Sequence, residues 1–265
     1  YRPGIQLTGV GTRVSHCEIF DAPSSAIVLQ GNDHLIEYCE IHNVCNEIDD
    51  LGAIYYGRDQ SDQGNALMFN YMHDLSNKHR VSAFYHDDGA CGMYVYGNIF
   101  YKAGLQPVLI GGGSDNHYKN NIFIDMPYGL YVDNRLENWA QPVIELLKHR
   151  LEVMNYDKAP FKERYPRAAG YIAEGISTPK RNVAEGNFFY NISKWLICPG
   201  ERPYERAYME MYNNWITWSG KGFEDPGFVD EENGNWNLRP DAAIFRYIPG
   251  FKAIPFDQIG CSLPK

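Results

Sequence analysis

An internal repeat constrains the fold of this chain more than any other feature of its sequence. The segment IQLTGVGTRVSHCEIF at 5–20 aligns without gaps on IVLQGNDHLIEYCEIH at 27–42. The alignment keeps Ile, Leu, Gly, Cys, Glu and Ile in place. A repeat of this length is typical of a solenoid, in which each repeat forms one turn and packs only on its neighbours.

The position of the repeated Cys continues along the chain as a column of Asn residues. Most successive members are separated by a length that fits one turn of a parallel β-solenoid plus a variable loop, and the step from Asn121 to Asn187 is much longer. Stacked side-chain amides can hydrogen-bond to the copies above and below, about 4.8 Å away. At the start of the column we expect two stacked, buried thiols, with a disulfide between them as the alternative. The column consists of Cys17, Cys39, Asn70, Asn98, Asn121, Asn187 and Asn214.

A second column of apolar segments gives the strands of the expected fold. Each segment begins with an apolar, partly alternating strand and ends in polar or Gly residues. Such strands bury one face and expose the other along the length of a solenoid. The sequence therefore predicts an all-β fold, a right-handed parallel β-helix, as a single domain over residues 1–265. The segments are AIVLQGN (26–32), AIYYGRD (53–59), AFYHDDG (83–89), VLIGGGS (108–114) and GLYVDNR (129–135).

Two regions depart from the repeat. An insertion of about residues 136–180 contains apolar residues at helical spacing, which predict one amphipathic helix within residues 137–154 that packs against the solenoid. The tail, about residues 220–265, is rich in turns and is predicted to cap or wrap the last coil and shield its open edge. Because the chain begins at Tyr1 rather than Met, we leave open whether further N-terminal coils precede it. The residues expected on the core side of the helix are Trp139, Val143, Leu146, Leu147, Leu151 and Met154.

Composition argues against several classes of partner. With 33 acidic and 24 basic residues, a net charge of −9 and no Lys/Arg run, electrostatic capture of nucleic acid is not expected. No apolar stretch approaches the roughly 20 residues that span a bilayer, so no membrane partner is expected either. The six Cys residues form no CxxC pair, and the scattered histidines lack metal-ligand spacing, so we expect no metal and no cofactor. The oligomeric state is left open. The histidines in question are His34, His73, His79 and His117.

Polar residues of the second column are expected to meet at one edge of the solenoid. In the alignment above, the fifth position reads Gln30, Gly57, Asp87, Gly112 and Asp133. Gly residues at 111–113 clear side chains from the adjacent turn, as a groove open to a ligand would require. The expected cluster consists of Arg58, Asp59, His86, Asp87, Asp88, Asp133 and Arg135, with Asp115 just after it.

Paired carboxylates on neighbouring coils predict acid and base chemistry. Glycosidases use two carboxyl groups about 5 to 5.5 Å apart for retention and about 6.5 to 9.5 Å apart for inversion. Asp59 with Asp88 fits the shorter distance, and Asp87 with Asp133 fits the longer one. Like charges at this range raise one pKa and so supply a protonated acid. His86 is expected to assist or to hold a substrate hydroxyl. Sugar rings are expected to stack on outward-pointing members of the set Tyr55, Tyr56, Tyr85 and Tyr131.

A purely structural interpretation stands beside this one. Asp, Asn and Gly are the usual residues of turns between strands, because their side chains bond to the local backbone and tolerate left-handed conformations. An ion pair between Arg58 and Asp88 fits the same interpretation. The convergence of several carboxylates and two arginines on one edge is what favours a site.

Six motifs resemble those of a known group of proteins. GAIYYGRD, HDDG, YGNIFY, IGGGSDN, YPRAAGYI and GFKAIPFDQIG are similar to segments of right-handed parallel β-helix repeat proteins, and in particular of the β-helix glycoside hydrolases that include an α-L-fucosidase and a xylanase. The resemblance spans almost the whole chain. It implies a pair of catalytic aspartates on neighbouring coils, and the matching positions are Asp87 or Asp88 with Asp59 or Asp133.

Three functional hypotheses follow. The first is a secreted or periplasmic glycoside hydrolase that acts on a plant, algal or host polysaccharide or oligosaccharide. The second is a polysaccharide lyase, with Arg58 or Arg135 as the base and with Ca²⁺ held by Asp59, Asp87 and Asp88. The third is a β-solenoid without catalytic activity that binds glycan or builds an extracellular assembly.

Overall fold

Short strands separated by turns account for most of the chain. The computed structural model describes residues 2–76, 79–200 and 207–261. In chain order the strands are β1 (Ile5–Leu7), β2 (Arg13–Ser15), β3 (Glu18–Ala22), β4 (Ile27–Leu29), β5 (Leu35–Glu37), β6 (Glu40–Val44), β7 (Leu51–Gly57), β8 (Ala66–Met68), β9 (Tyr71–Leu75), β10 (Val81–Asp87), β11 (Tyr94–Tyr96), β12 (Ile99–Ala103), β13 (Val108–Gly111), β14 (His117–Lys119), β15 (Ile122–Asp133), β16 (Asn182–Glu185), β17 (Phe188–Ile197), β18 (Met209–Tyr212), β19 (Trp215–Thr217), β20 (Phe228–Asp230) and β21 (Asn235–Leu238).

The first nineteen strands wind into a parallel β-helix with three sheets. The first sheet contains β1, β4, β7, β10, β13 and the end of β15. The second contains β2, β5, β8, β11, β14, β16 and β18. The third contains β3, β6, β9, β12, the start of β15, β17 and β19. β15 and β17 are long because they run from the third sheet into the first without a break. The predicted all-β solenoid is confirmed.

The repeat is visible as strand register. Ile5 pairs with Ile27, Arg13 with Leu35, and Glu18 with Glu40, which confirms the predicted repeat in all three sheets. Inward-pointing side chains of successive coils stack on one another. Phe100, Phe123 and Phe189 form such a stack, with ring centroids 4.7 and 4.8 Å apart. Full burial of one such ring stabilises the fold by about 1.5 to 3 kcal/mol.

The Asn column forms a continuous hydrogen-bonded ladder. The Oδ1 atom of each Asn accepts a bond of 2.8 to 3.0 Å from the main-chain N–H one coil below, from Cys39 up to Asn187. The thiols of Cys17 and Cys39 are free. Cys39 is buried, and burial raises its pKa to about 12, whereas Cys17 is only partly buried. The prediction of two stacked thiols is therefore correct, although only one is fully buried, and the alternative disulfide is wrong.

One segment of the second column is displaced by one residue from its predicted alignment. Phe84 pairs with Val108, so that Gly111, and not Gly112, lies between Asp87 and Asp133 in the first sheet. Pro107 occupies the place of Ala83, since its carbonyl accepts the bond from the N–H of Phe84. Pro at the first position of a strand loses no ladder bond, because that position does not need its missing N–H.

The insertion is helical and covers the corner between the first and second sheets. It contains α1 (Ile144–Val153), α2 (Phe161–Arg164) and α3 (Tyr171–Glu174), with 3₁₀ turns at Arg135–Glu137, Gln141–Val143 and Ala168–Gly170. Leu147 and Leu151 are buried against Cys91 and Leu136, as predicted. The predicted helix was too long at its start. Its expected core residues Trp139, Leu146 and Met154 are exposed. Trp139 lies before α1 between two 3₁₀ turns, Leu146 is off the face of α1 that carries the buried Leu147 and Leu151, and Met154 follows the last residue of α1.

The C-terminal tail lies along the side of the solenoid. It contains the β20–β21 hairpin, α4 (Ile244–Tyr247) and a 3₁₀ turn at Phe256–Gln258. Its apolar residues pack on Ile99, Ile122 and Phe188, which point outward from the third sheet. From the last coils the tail runs back, so that the N–H of Gly260 donates to the carbonyl of Tyr38. The sequence predicted that the tail covers the last coil. In the structure it instead runs back along many coils of the third sheet. No helix in the described ranges is long and apolar enough to cross a membrane.

Candidate functional site

The predicted cluster forms on the outer surface of the first sheet. Side chains alternate along a strand, so in β10 Phe84 and His86 point inward while Tyr85 and Asp87 point outward. Asp133 lies two strands away, at the end of β15, with Gly111 of β13 between them. Asp88 follows Asp87 in the turn after β10, with a left-handed φ of 35°.

Arg135 is the centre of the cluster. Its Nε and Nη2 atoms donate to the two oxygens of Asp133 at 2.9 and 2.8 Å. Its Nη1 atom donates to Asp87 at 2.8 Å, to the hydroxyl of Tyr85 at 3.1 Å and to Asp88 at 3.3 Å. One guanidinium thus joins three carboxylates that come from two coils.

Two Gly residues provide the space for this arrangement. A Cβ atom at Gly111 would lie 2.4 Å from Cζ of Arg135, so the guanidinium fits only because Gly111 has no side chain. A Cβ at Gly57 would lie 2.6 Å from the carbonyl oxygen of Asp87. These positions flank Asp87 on both neighbouring strands. The expectation that Gly residues clear the adjacent turn holds for Gly111, and a buried arginine fills the cleared space.

A second arginine and the insertion complete the surroundings of Asp88. Arg58, on the neighbouring turn, donates from Nε to Oδ2 of Asp88 at 2.9 Å and is half-exposed. On the other side, a Cβ at Gly89 would lie 3.0 Å from the side chains of Leu136 and Leu147. The insertion therefore packs directly on this turn, and Asp88 is only 2 % exposed.

Burial and neighbouring charges shift the pKa values of Asp87 and Arg135. Burial raises the pKa of Asp87, and the charge of Asp88 raises it further, against the opposing effects of Tyr55, Arg135 and Arg58. Burial alone would lower the pKa of Arg135, but its hydrogen bond to Asp133 and the negative charge of Asp133 outweigh burial and raise it. Asp87 therefore holds a proton more readily than an ordinary Asp, next to an arginine that stays charged.

His86 and Tyr56 do not belong to the outer site, and their predicted substrate-binding roles are wrong. Both point into the solenoid, because they occupy the inward positions of β10 and β7. His86 is 0 % exposed and bonds to the hydroxyl groups of Tyr56, at 2.8 Å, and Tyr118. Burial lowers the pKa of His86 to about 3, so it is neutral and structural.

Asp59 and Asp115 also lie apart from the cluster. Oδ1 of Asp59 accepts bonds from the N–H and hydroxyl of Ser61, at 2.9 and 2.6 Å, and its Oδ2 lies 3.8 Å from Arg150. It caps its own turn instead of pairing with Asp88. Asp115 lies in the turn after β13, where it pairs with Arg181 at 2.7 Å and Arg167 at 3.1 Å. These contacts fit the interpretation of turn aspartates as structural.

The predicted aromatic residues have divided roles. The hydroxyl of Tyr55 donates to Oδ2 of Asp87 at 2.6 Å, and both Tyr55 and Tyr85 are buried, so they support the cluster and offer no flat surface. Tyr131 is half-exposed. Trp139, expected in the core, is 67 % exposed, and its ring lies 5.1 Å from Cζ of Arg135. Trp139 and Tyr131 are the aromatic surfaces that a sugar ring can reach.

A pocket between the tail and the third sheet was not expected from the sequence. It has a volume of about 680 Å³ and combines exposed aromatic rings with carboxylates. Burial raises the pKa of Glu231 there, although a hydrogen bond from Tyr190 opposes the shift. The tail motifs DPGFVD and GNW carry no repeat signal that would predict this pocket. Its walls include Tyr101, Asp125, Tyr190, Trp218, Phe223, Asp225 and Glu231.

Comparison with known families agrees with this architecture. The family described as right handed beta helix region matches residues 3–141, which is just over half of the chain. The chain belongs to the right-handed β-helix family. This family is shared by glycoside hydrolases, lyases and binding proteins. No curated protein matches the chain. In this β-helix the matched region contains Arg58, Asp87, Asp88, Asp133 and Arg135.

Proposed function

We propose that this β-helix is a carbohydrate-active enzyme, a glycoside hydrolase, and that Asp87 and Asp133 are its catalytic carboxyl groups. One observation carries the proposal: Asp87 and Asp133, from two coils, are bonded to different nitrogens of the buried Arg135. Glycosidases separate their carboxyl groups by about 5 to 9.5 Å. Residues two strands apart in a sheet lie about 10 Å apart at the backbone, close to the upper end of that range.

Asp87 has the properties of the general acid. Burial and the neighbouring Asp88 raise its pKa, so it holds a proton under conditions where an ordinary Asp is charged. In the reaction the bond from the anomeric carbon to the leaving oxygen breaks, and Asp87 gives its proton to that oxygen. Tyr55 orients the carboxyl group through its 2.6 Å hydrogen bond.

Asp133 has the properties of the general base. It is the least buried of the three carboxylates, and both of its oxygens accept hydrogen bonds from Arg135. It can therefore meet a water molecule and take the proton from it while the water oxygen adds to the anomeric carbon. Arg58 and Asp88 hold the turn that carries Asp87, and Trp139 offers the exposed ring for stacking.

The expected substrate is a neutral polysaccharide or oligosaccharide. The chain carries a net charge of −9, which disfavours polyuronates. The arrangement favours hydrolysis over elimination by a lyase, because the raised pKa of Arg135 makes it a poor base. In the described part of the chain, Asp59, Asp87 and Asp88 form no group of converging metal ligands. We propose a secreted or periplasmic location, where such polymers occur.

The test is a substrate panel with matched variants. Purified protein is incubated with polysaccharides and oligosaccharides, with and without Ca²⁺, while reducing ends and ultraviolet absorbance are read in parallel. We expect new reducing ends without absorbance. Asp87→Asn and Asp133→Asn should each lower the rate about a hundredfold or more. Asp49→Asn is the control, because Asp49 pairs with Arg80 at the surface of the same sheet.

Three outcomes would overturn the proposal. Absorbance together with reducing ends would mean elimination. Retained glycan binding without turnover across the panel would mean a binding protein. Loss of turnover in Glu231→Gln, with Asp87→Asn still active, would move the catalytic centre to the pocket beside the tail.

A further inference from the structure

A second set of chemically active side chains lies on the outer surface of the third sheet, away from the Arg135 cluster of the first sheet. Strand register places Glu18 beside Glu40, and places His42 beside His73. Glu40 and His42 are two residues apart on β6, so they share one face of that strand. The ligand atoms of Glu40, His42 and His73 all lie within 4.8 Å of one another.

We propose that Glu40, His42 and His73 bind a divalent transition-metal ion, for which Zn²⁺ is the natural probe. Zinc sites combine imidazole nitrogen at about 2.0 to 2.1 Å with carboxylate oxygen at about 2.0 to 2.2 Å. Two imidazoles and one carboxylate are a ligand set of this kind, and imidazole favours Zn²⁺, Cu²⁺ and Ni²⁺ over Mg²⁺ or Ca²⁺. Small rotations of the three side chains bring their atoms to these distances.

A fourth ligand is within reach. Oε1 of Glu18 lies 3.4 Å from Nε2 of His42, and Oε1 of Glu40 lies 3.1 Å from Nε2 of His73. The two imidazole rings stack with centroids 4.7 Å apart, and each Nε2 atom faces one carboxylate. Glu18 lies outside the group of three converging ligands, so a four-coordinate site needs its carboxylate to move toward the ion, with water as the alternative fourth ligand.

The outer sides of both rings are held by neighbours. Nδ1 of His73 lies 2.8 Å from Oδ2 of Asp74, which is the carboxylate–histidine arrangement that supports many metal-bound histidines. Nδ1 of His42 lies 3.1 Å from the side-chain amide of Asn43. The Asp74 contact holds the proton of His73 on Nδ1 and leaves Nε2 to bind a metal, whereas the Asn43 amide would have to turn its oxygen toward Nδ1 to do the same for His42. This is an observation separate from the convergence of the ligand atoms.

An ion can reach the site from solvent. All four side chains are partly exposed. Beside Glu40 there is a pocket of about 230 Å³, formed where the tail crosses β9 and lined by Tyr71, Phe256 and Asp257. Metal binding here would join three coils of the third sheet, β3, β6 and β9, close to the point where the tail passes Tyr38.

The test uses the complete chain without an affinity tag. Zn²⁺ is titrated calorimetrically, and Co²⁺ is added separately to record its visible absorption. We expect one Zn²⁺ per chain, a higher melting temperature, and the strong Co²⁺ bands of a four-coordinate site. His42→Ala and His73→Ala should each weaken binding at least about tenfold, and the double variant should bind no stoichiometric ion.

His117→Ala is the matched control. His117 pairs with Glu185 at 3.5 Å on the second sheet, but among the described residues no second imidazole converges there. Its loss should leave the Zn²⁺ affinity unchanged. The inference is overturned if wild type binds no Zn²⁺ stoichiometrically, or if binding persists in the double variant. The proposed metal site uses neither Asp87 nor Arg135, so this test and the glycosidase assay can fail independently of each other.

Discussion

The Asn ladder and the Arg135 cluster are both stacked polar side chains of one solenoid, yet they differ in repetition. The ladder recurs from coil to coil, from Asn70 to Asn214, and each amide meets the same kind of partner. The cluster occurs once along the described coils, where a single guanidinium joins three carboxylates. A feature that every coil repeats meets a requirement of every coil. Here the requirement is a hydrogen-bond partner for the buried backbone groups at a corner.

A feature that occurs once needs another reason. Nothing in the packing of one more coil requires three carboxylates and two arginines outside the first sheet. Two strands away from β10, the turn after β4 has Gln30 and Gly31 at the equivalent positions. The difference teaches that repetition marks architecture, whereas departure from it marks candidate function.

The largest expected effect tests how much the cluster depends on its central cation. Arg135→Ala leaves Asp87, Asp88 and Asp133 close together with the half-exposed Arg58 as their remaining cation. Removal of one partner from a buried ion pair costs about 3 to 5 kcal/mol. We expect a loss of this size in the free energy of unfolding at neutral pH, measured by urea denaturation, and a smaller loss in acid, where the carboxyl groups are protonated.

The control for Arg135→Ala is a surface pair on the same sheet. Arg80 pairs with Asp49 at 3.0 Å, and both side chains are exposed. Arg80→Ala should cost about 0 to 1 kcal/mol. Equal losses in the two variants would contradict the account of a buried, interdependent cluster.

The next effect tests the ladder. Asn98→Ala removes the acceptor of the Asn70 N–H and the donor to the carbonyls of Leu67 and Tyr96. Buried groups left without partners cost about 1 to 3 kcal/mol each, reduced by any water that enters, so we expect a loss of roughly 2 to 4 kcal/mol in unfolding experiments. Asn214→Ala, at the half-buried last rung, should cost less. A larger loss at Asn214 would show that the ladder is not a cooperative core element.

The last effect is a slope with pH, at most about 1.4 kcal/mol per pH unit, and concerns Asp62, a buried carboxyl group that forms no direct ion pair with an arginine among the described residues. Oδ1 of Asp62 accepts from the N–H of Gly31 at 2.7 Å, while its buried Oδ2 has no hydrogen bond within the described part of the chain. Burial, followed by the charge of Asp59, raises the pKa of Asp62 to about 8. In the folded state, Asp62 therefore stays protonated up to a pH of about 8.

The sign of the pH dependence follows from that shift. The stability that Asp62 contributes is complete below the unfolded pKa of about 3.9 and is lost as pH rises through about 8. Compared with Asp62→Asn, wild type should lose up to about 1.4 kcal/mol per pH unit within that window. Parallel pH profiles of the free energy of unfolding for the two proteins would contradict this prediction.

The fold could be predicted from the sequence because successive coils of a solenoid make the same kinds of contact. The repeat of the first two coils and the Asn column follow from the same contacts in every coil, so a few copies reveal them. The cluster was found for a related reason, since Asp87 and Asp133 end equivalent strands and are followed closely by Asp88 and Arg135. Strand alternation could have placed His86 inside, because it lies between two outward residues.

Other features carry no such signal. Pro107 shifts one strand by a residue, which moves Gly111 into the place expected for Gly112. Arg135 begins the first 3₁₀ turn of the insertion. The contact of its guanidinium with Gly111 therefore depends on packing that no repeat encodes. The ligands Glu40, His42 and His73 lie on two different coils and meet only through register. The pocket of the tail depends on where the tail lies along the solenoid, which composition does not determine.

The most direct test measures turnover per folded molecule in Asp87→Asn and Asn98→Ala side by side. Both are compared with wild type on the same active glycan, at a temperature where circular dichroism shows each protein to be folded. The account predicts that Asp87→Asn keeps its fold and loses turnover about a hundredfold or more, whereas Asn98→Ala unfolds earlier and keeps the wild-type rate while folded. Wild-type turnover in folded Asp87→Asn would contradict the central claim that the single cluster, and not the repeated ladder, performs the chemistry.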